Sequence, residues 1–415
     1  MSSEQKELNF FVAETEKFNI SFHLNNIDQQ NLHDLYTVKL SPKERETFLF
    51  ATLKYPLLNQ VFPVFHSSFS EVDNRFMLEK GFYGFDGGFV HARNFLQDNF
   101  SSKENSDLII FDHGHDVPPF PGAKIKYFKS NGKSFTDATA DFEYPRCFVF
   151  GGCSGDWDGD GVPELIFFDL ADEVDPIMME YKKNKLVQVD GRIPALIRKQ
   201  NFRSLAGTKF WGRDNKLHLA LGSIGNDHYA PKDLFIINDS NGIFRQENIR
   251  YLPKRRGGAD WACVEMKNIR FDGDDTDHIL AVYHDAKVQH GIIDLYVQKD
   301  DYLFDYFYKD RPIFEEKDSW YYRVELCKLN STTKSVDTIV SLKSRGLVNY
   351  VKKDLNFTLL MKKNGEFVDV SHELMPLKDK EFMGIAKTMN QSTGLHDLVF
   401  FDDHGNYYYC QTKGN

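Results

Sequence analysis

The sequence has no apolar run of 18 residues, which excludes a transmembrane helix. It has no basic excess either, because 61 Asp and Glu outnumber 51 Lys and Arg for a net charge of −10. A surface of that sign does not neutralise phosphates, so general nucleic-acid binding is excluded. The five cysteines (Cys147, Cys153, Cys263, Cys327 and Cys410) form no CxxC pair and no zinc spacing. An odd, scattered set of this kind reads as free buried thiols in a reducing compartment. The opening residues MSSEQKELNFF lack the basic and apolar segments of a secretory signal. The expectation is a cytoplasmic protein, or one exported by a route without a cleaved N-terminal signal. Also missing are a Gly-rich phosphate loop, a nucleophile elbow and an HExxH helix.

What the chain does have is aromatic residues, 37 Phe and 19 Tyr in 415 positions, many beside β-branched neighbours. That enrichment favours strands. The strands repeat. An acidic or His position stands just before an apolar run at Asp107 (LIIF), Glu164 (LIFF), His218 (LALG), His278 (ILAV), Asp337 (TIVS) and Asp397 (LVFF). Successive positions are 57, 54, 60, 59 and 60 residues apart, a spacing that chance rarely gives. An Asn-Gly pair ahead of Phe follows three of them, at Asn131, Asn241 and Asn364, and supplies the positive φ of a tight hairpin. Each unit therefore reads as strand, loop, apolar strand, third strand, tight turn and fourth strand.

A four-stranded unit cannot bury both faces alone, and stacking copies around an axis solves this. The expected fold is all-β, a single β-propeller domain over residues 1–415 with six repeats in 86–415. The last unit lacks a fourth strand, which LNFFVAE (8–14) or ISFHL (20–24) can supply. Residues 1–85 form a divergent N-terminal part. SPKERETFLFATLKY within it reads as a short helix near 41–56, with Ser41, Pro42 and Glu44 as its capping signals. A seven-bladed ring is expected, with six blades and an N-terminal cap as the alternative.

The densest acidic loop is Asp156-Trp-Asp-Gly-Asp-Gly-Val-Pro-Glu164. It sets carboxylates at positions 1, 3 and 5 (Asp156, Asp158, Asp160), a bend at Gly161, the Val162 carbonyl at 7 and Glu164 at 9. Hard Ca²⁺ needs six to eight oxygens curled around one point, so one calcium site is expected here. The sister loops fail as sites, since Phe210 and Arg270 hold position 1 in two of them.

These residues resemble the FG-GAP or VCBS-repeat propellers, related to the integrin α-subunit head. Besides the D-x-D-G-D-G loop, the similarity lies in GFVHAR (88–93), DLIIFDHGHDVPPFPGA (107–123) and SWYYRVELCKLN (319–330). It is closer to one bacterial group of VCBS-repeat proteins and spans about 86–405. The resemblance implies the fold and a calcium site rather than a reaction.

First strands line the channel of a propeller. His91, Arg93, Trp261, Trp320, Tyr321 and Arg323 are therefore candidates for a ligand-binding rim, against a plain role in blade packing. Asp112, His113, His115 and Asp116 join them, as ligand contacts, a structural loop or a transition-metal site. Lys254-Arg255-Arg256 reads as a solvated basic loop. The functional expectation is a non-catalytic calcium-containing module that binds a glycan or a protein, carbohydrate-binding and lectin-like in the first case. A polysaccharide hydrolase or lyase, or a scaffold of a cytoplasmic assembly, are the alternatives. Whether it is an enzyme stays open, because no convincing general acid–base pair is visible.

Overall fold

The computed structural model describes residues 21–25, 33–39 and most of 92–412, apart from short segments inside that range. The helix expected near 41–56 lies outside the described residues. Those described are all-β, with no α-helix among them and a short 3-10 turn at Thr139–Asp141.

Six sheets follow one another along the chain. Sheet I is a four-strand meander of Ala92–Asp98, Asp107–Asp112, Lys126–Ser130 and Phe135–Asp137. Sheet II comprises Gly152–Gly155, Glu164–Phe167, Ile177–Lys182 and Lys185–Val189, with Phe142–Glu143 added in parallel on its outer edge. Sheet III is built from Ser204–Trp211, Leu217–Ser223, Leu234–Asn238 and Phe244–Tyr251. Sheet IV has Ala262–Ile269, His278–Asp285, His290–Asp300 and Leu303–Tyr306, and Phe314–Lys317 also pairs with its third strand. Sheet V is Trp320–Cys327, Thr338–Ser344, Phe357–Lys363 and Glu366–Asp369. In the last, sheet VI, Phe382–Asn390, Leu395–Asp402 and Asn406–Thr412 are joined by two strands from the other end of the chain.

Those two strands refine the expectation for the N-terminus. The strand beside Asn406–Thr412 is His33–Lys39, in antiparallel register from His33↔Thr412 to Lys39↔Asn406. Ser21–Asn25, which overlaps one of the two segments expected to do this, pairs one place further out. Residues 8–14 lie outside the described residues. The N-terminal segment thus adds two strands to the sheet of the last repeat.

The motif positions fall where the repeat places them. Asp107, Glu164 and His278 open the second strand of their sheets, and Asp337 directly precedes Thr338–Ser344. The apolar runs behind them are buried on both faces: Leu108, Ile109, Ile110 and Phe111 are fully covered, as are Leu219–Leu221 and Ile279–Val282. Alternate residues serve different neighbours, because side chains along a strand point to opposite faces. Leu165 and Phe167 pack with Ile109, Phe111 and Tyr127 of sheet I. Ile166 and Met178 pack with Leu219, Leu221 and Ile236 of sheet III. The same alternation joins sheet III to IV through Phe210, Phe235, Ile279 and Ala281, and sheet IV to V through Leu280, Val282, Ile339 and Leu360. The core is a series of seams between consecutive sheets. Four described cysteines, Cys147, Cys153, Cys263 and Cys327, are buried and outside any disulfide among the described residues.

Turn chemistry sets the hairpins. Asn241 and Gly242, and Asn364 and Gly365, both sit at positive φ. Lys183 and Asn184 do the same between the third and fourth strands of sheet II, without an Asn-Gly signature.

Lys254-Arg255-Arg256 departs from the solvated loop expected. Arg255 is buried and pairs with buried Asp233, donating also to Ser223 Oγ at 2.6 Å and to the Trp261 carbonyl. Tyr283 Oη donates to the other Asp233 oxygen at 2.7 Å, and Tyr296 Oη lies 2.8 Å from Tyr283 Oη. Arg256 turns inward as well, onto Asp294 at 3.1 Å and over the Tyr306 ring. The cluster fastens the seam between sheets III and IV.

Candidate metal centre

The loop between the first and second strands of sheet II gathers its acids by its own backbone. Gly159 and Gly161 adopt φ +79 and +85, a region that costs other residues a Cβ clash. Asp156 then accepts the N–H of Gly159 at 2.8 Å on one oxygen and that of Gly161 at 3.0 Å on the other. Asp158 Oδ1 accepts the Asp160 N–H at 3.2 Å, and Asp160 Oδ1 accepts the Val162 N–H at 2.7 Å. The result is three carboxylates, Asp156, Asp158 and Asp160, each with an oxygen within 4.8 Å of the others.

This donor set fits a hard cation. It offers carboxylate oxygens, without a His or Cys, on a loop bent around one point, as Ca²⁺ requires. Each oxygen carries two lone pairs, so one accepted N–H leaves room for a metal.

Glu164 is arranged differently from the expectation. Its Oε2 accepts the Trp157 N–H at 2.9 Å, which closes the loop, and its Oε1 faces Arg192 Nη2 at 3.1 Å. It groups with Asp158 and Glu180 within 4.8 Å, not with Asp156 and Asp160. Burial pushes the Glu164 carboxyl up to about 8, while the Trp157 N–H and Arg192 pull it down. The four expected carboxylates therefore form two groups that share Asp158. Val162 is fixed in the loop by its N–H.

Glu180 and Arg192 are the site residues that sequence reading missed. Glu180 has one faint signal, an acid that follows the buried Ile177, Met178 and Met179 in its strand. Arg192 has none, since it belongs to the loop beyond the fourth strand.

The sister loops close by other means. Asp107 accepts the N–H of Ser101 at 2.7 Å and the Tyr127 hydroxyl at 2.9 Å. Asp337 accepts the N–H groups of Leu329 at 3.0 Å and Asn330 at 2.8 Å. Lys103 of sheet I also ends against Gly161, 3.1 Å from where a Cβ would stand.

The candidate ligand residues divide. Arg93 and Asp112 lie at one end of sheet I, where Ala92 pairs with Asp112. Trp320, Tyr321 and Arg323 begin the first strand of sheet V. Both groups sit at the ends of their sheets opposite the first loop. His91, His113, His115 and Asp116 lie outside the described residues. Trp261 takes the packing alternative: it is 5% exposed, packed in the core between sheets III and IV, with its ring 4.7 Å from that of His290. A side chain so covered presents no face to a ligand.

Among the described residues no helix is long and apolar enough to cross a membrane. No family model and no curated protein matches the chain.

Proposed function

We propose that this chain is a β-propeller of the FG-GAP or VCBS type, with its sheets as blades. Sheet II carries one structural calcium ion, and one end of the ring binds a glycan or a protein without turnover. The observation that carries the fold reading is the order of contacts. The first strand of each sheet touches the first strand of the next, from Ala92–Asp98 through to Phe382–Asn390. Sheets radiating from an axis have that relationship, and a last sheet built from both chain ends is how such a ring is fastened.

The calcium reading rests on Asp156, Asp158 and Asp160, whose converging charges repel one another until a cation offsets them. Asp158, Asp160 and Asp156 would hold the ion, and its contribution is to lock the loop. No reaction step is assigned to it.

The binding reading places the ligand at the sheet ends that carry Arg93, Asp112, Trp320, Tyr321 and Arg323, with His91, His113, His115 and Asp116 in the neighbouring segments. Arg and aromatic side chains together suit a sugar or a peptide. A glycan array, run beside a reducing-sugar release assay and a pull-down, tests it. Binding that is lost in Arg93→Ala and Trp320→Ala, with no sugar released, is the expected outcome. Sugar release by the wild type would replace the module with a hydrolase or lyase.

A further inference from the structure

Arg192 belongs to none of the repeat motifs, yet among the described residues of sheet II and its loops it meets three carboxylates. Its side chain is 13% exposed and lies between carboxylates. It meets Asp158 Oδ2 at 3.2 Å and Glu164 Oε1 at 3.1 Å, and it also pairs with Glu180, which Lys182 touches from the exposed side. Burial alone would lower its pKa, but Glu164, Glu180 and Asp158 outweigh it and raise the value, so the guanidinium stays charged.

The same residue is bound to the next sheet. Nε donates to the Gly242 carbonyl at 3.0 Å, and Nη2 reaches the Asn241 carbonyl at 3.5 Å. The Arg192 carbonyl accepts the Phe244 N–H at 2.7 Å. Gly242, at φ +67, leaves space that a Cβ would fill, since that atom would collide with Arg192 Nη2. The hairpin turn of sheet III is thus shaped around a guanidinium from sheet II.

Asp158 is the carboxylate common to both acidic groups. A calcium ion on the loop needs it, and Arg192 already holds one of its oxygens. Two cations drawing on one carboxylate oppose each other, because each reduces the negative potential that attracts the second. We propose that Arg192 is a tethered cation that competes with calcium for Asp158. It thereby lowers the calcium affinity of the loop and couples its occupancy to the seam between sheets II and III. This inference rests on the calcium reading above.

The test is calorimetric titration of the full chain with calcium chloride, in wild type, Arg192→Met and Arg192→Lys. Arg192→Met removes the charge but keeps the bulk, and is expected to bind calcium about tenfold more tightly or better, within the usual range of coupling between sites. Arg192→Lys keeps the charge and is expected to stay near wild type. Adding Asp156→Asn to Arg192→Met should abolish the binding, which assigns it to the loop. Should Arg192→Met fail to fold, Arg192→Gln serves instead, because it removes the charge and keeps an N–H donor for the turn of sheet III. It is expected to tighten calcium binding in the same direction. Unchanged or weaker calcium binding in the folded variant overturns the competition while the calcium reading stands. Binding in Arg192→Met alone supports competition strong enough to exclude the ion from the wild type. Absence of binding in every variant sinks the calcium reading and the competition together.

Discussion

His278 Nε2 lies 2.9 Å from Asp274 Oδ2, four residues back, while its Nδ1 faces the backbone N–H of Gln298 at 3.4 Å. His218 repeats the arrangement one sheet earlier, with Asp214 Oδ1 at 3.1 Å and the Asn238 N–H at 3.1 Å. In both, one ring nitrogen must accept from the backbone, so the imidazole is neutral with its proton on Nε2. These pairs fill the ninth loop position that Glu164 holds in sheet II, and they tie the loop to the third strand without a metal.

Acid should therefore loosen sheet IV. Burial first, with Lys362 in support, holds His278 below its ordinary value of 6.5, although Asp274 and Asp277 pull it upward. The unfolded chain then binds more protons than the folded one in the window below 6.5, so stability is lost as pH falls from there through the lowered folded value. Urea midpoints at about pH 7.5 and about pH 5.5 should differ more in wild type than in His278→Gln. Equal differences would remove His278 from the acid response.

Calcium should stabilise the fold through sheet II only. Binding to the native state contributes about 2.7 kcal/mol at a hundredfold excess over Kd, so chelation should lower the melting temperature with little change in secondary structure. Asp158→Ala should abolish that response. Asp272→Ala should leave it intact, because Asp272 accepts the Lys334 N–H at 2.6 Å in the loop that carries Arg270. Equal sensitivity of the two variants would place the ion elsewhere.

The buried cluster between sheets III and IV should be costly to break. Tyr283→Phe leaves one Asp233 oxygen without its hydroxyl donor and should cost about 1–3 kcal/mol. Arg255→Met leaves the Asp233 charge buried without its cation and should cost about 3–5 kcal/mol. Urea unfolding measures both. An Arg255→Met variant as stable as wild type would mean the pair is dispensable.

Truncation should discriminate between the two N-terminal strands. Among the described strands, removing residues 1–25 takes away the outermost one of sheet VI. Removing residues 1–39 bares the full length of Asn406–Thr412 as an unpaired edge. The longer deletion should melt at a much lower temperature and aggregate on heating. If both deletions melt together, His33–Lys39 does not fasten the sheet.

Asp156, Asp158 and Asp160 are legible in the sequence because a turn writes its spacing locally, and the apolar runs after the loops are legible because buried strands are continuous. Glu180 and Arg192 are not, since only the folded register brings the third strand and the following loop beside Glu164. The surface readings of Trp261 and Arg255 mislead for a related reason. An aromatic ring and a guanidinium are read as surface features unless their partners, His290 and Asp233, are known to lie opposite. The Lys183–Asn184 turn shows the same limit, because positive φ is reached there by residues that do not announce it. The strand His33–Lys39 carries the alternation of any strand, and nothing local in it names Asn406–Thr412 as its mate.

Buried thiols give three of the seams their own clock. Cys147 lies in the cluster between sheets I and II, Cys153 in that between II and III, and Cys263 in that between III and IV. An alkylating reagent reaches any of them only after the two flanking sheets part, so labelling rates resolve where the molecule opens and in what order. The burial that pushes the Cys153 thiol up to about 12 also keeps it protonated at neutral pH, which slows its modification further and guards it against oxidation.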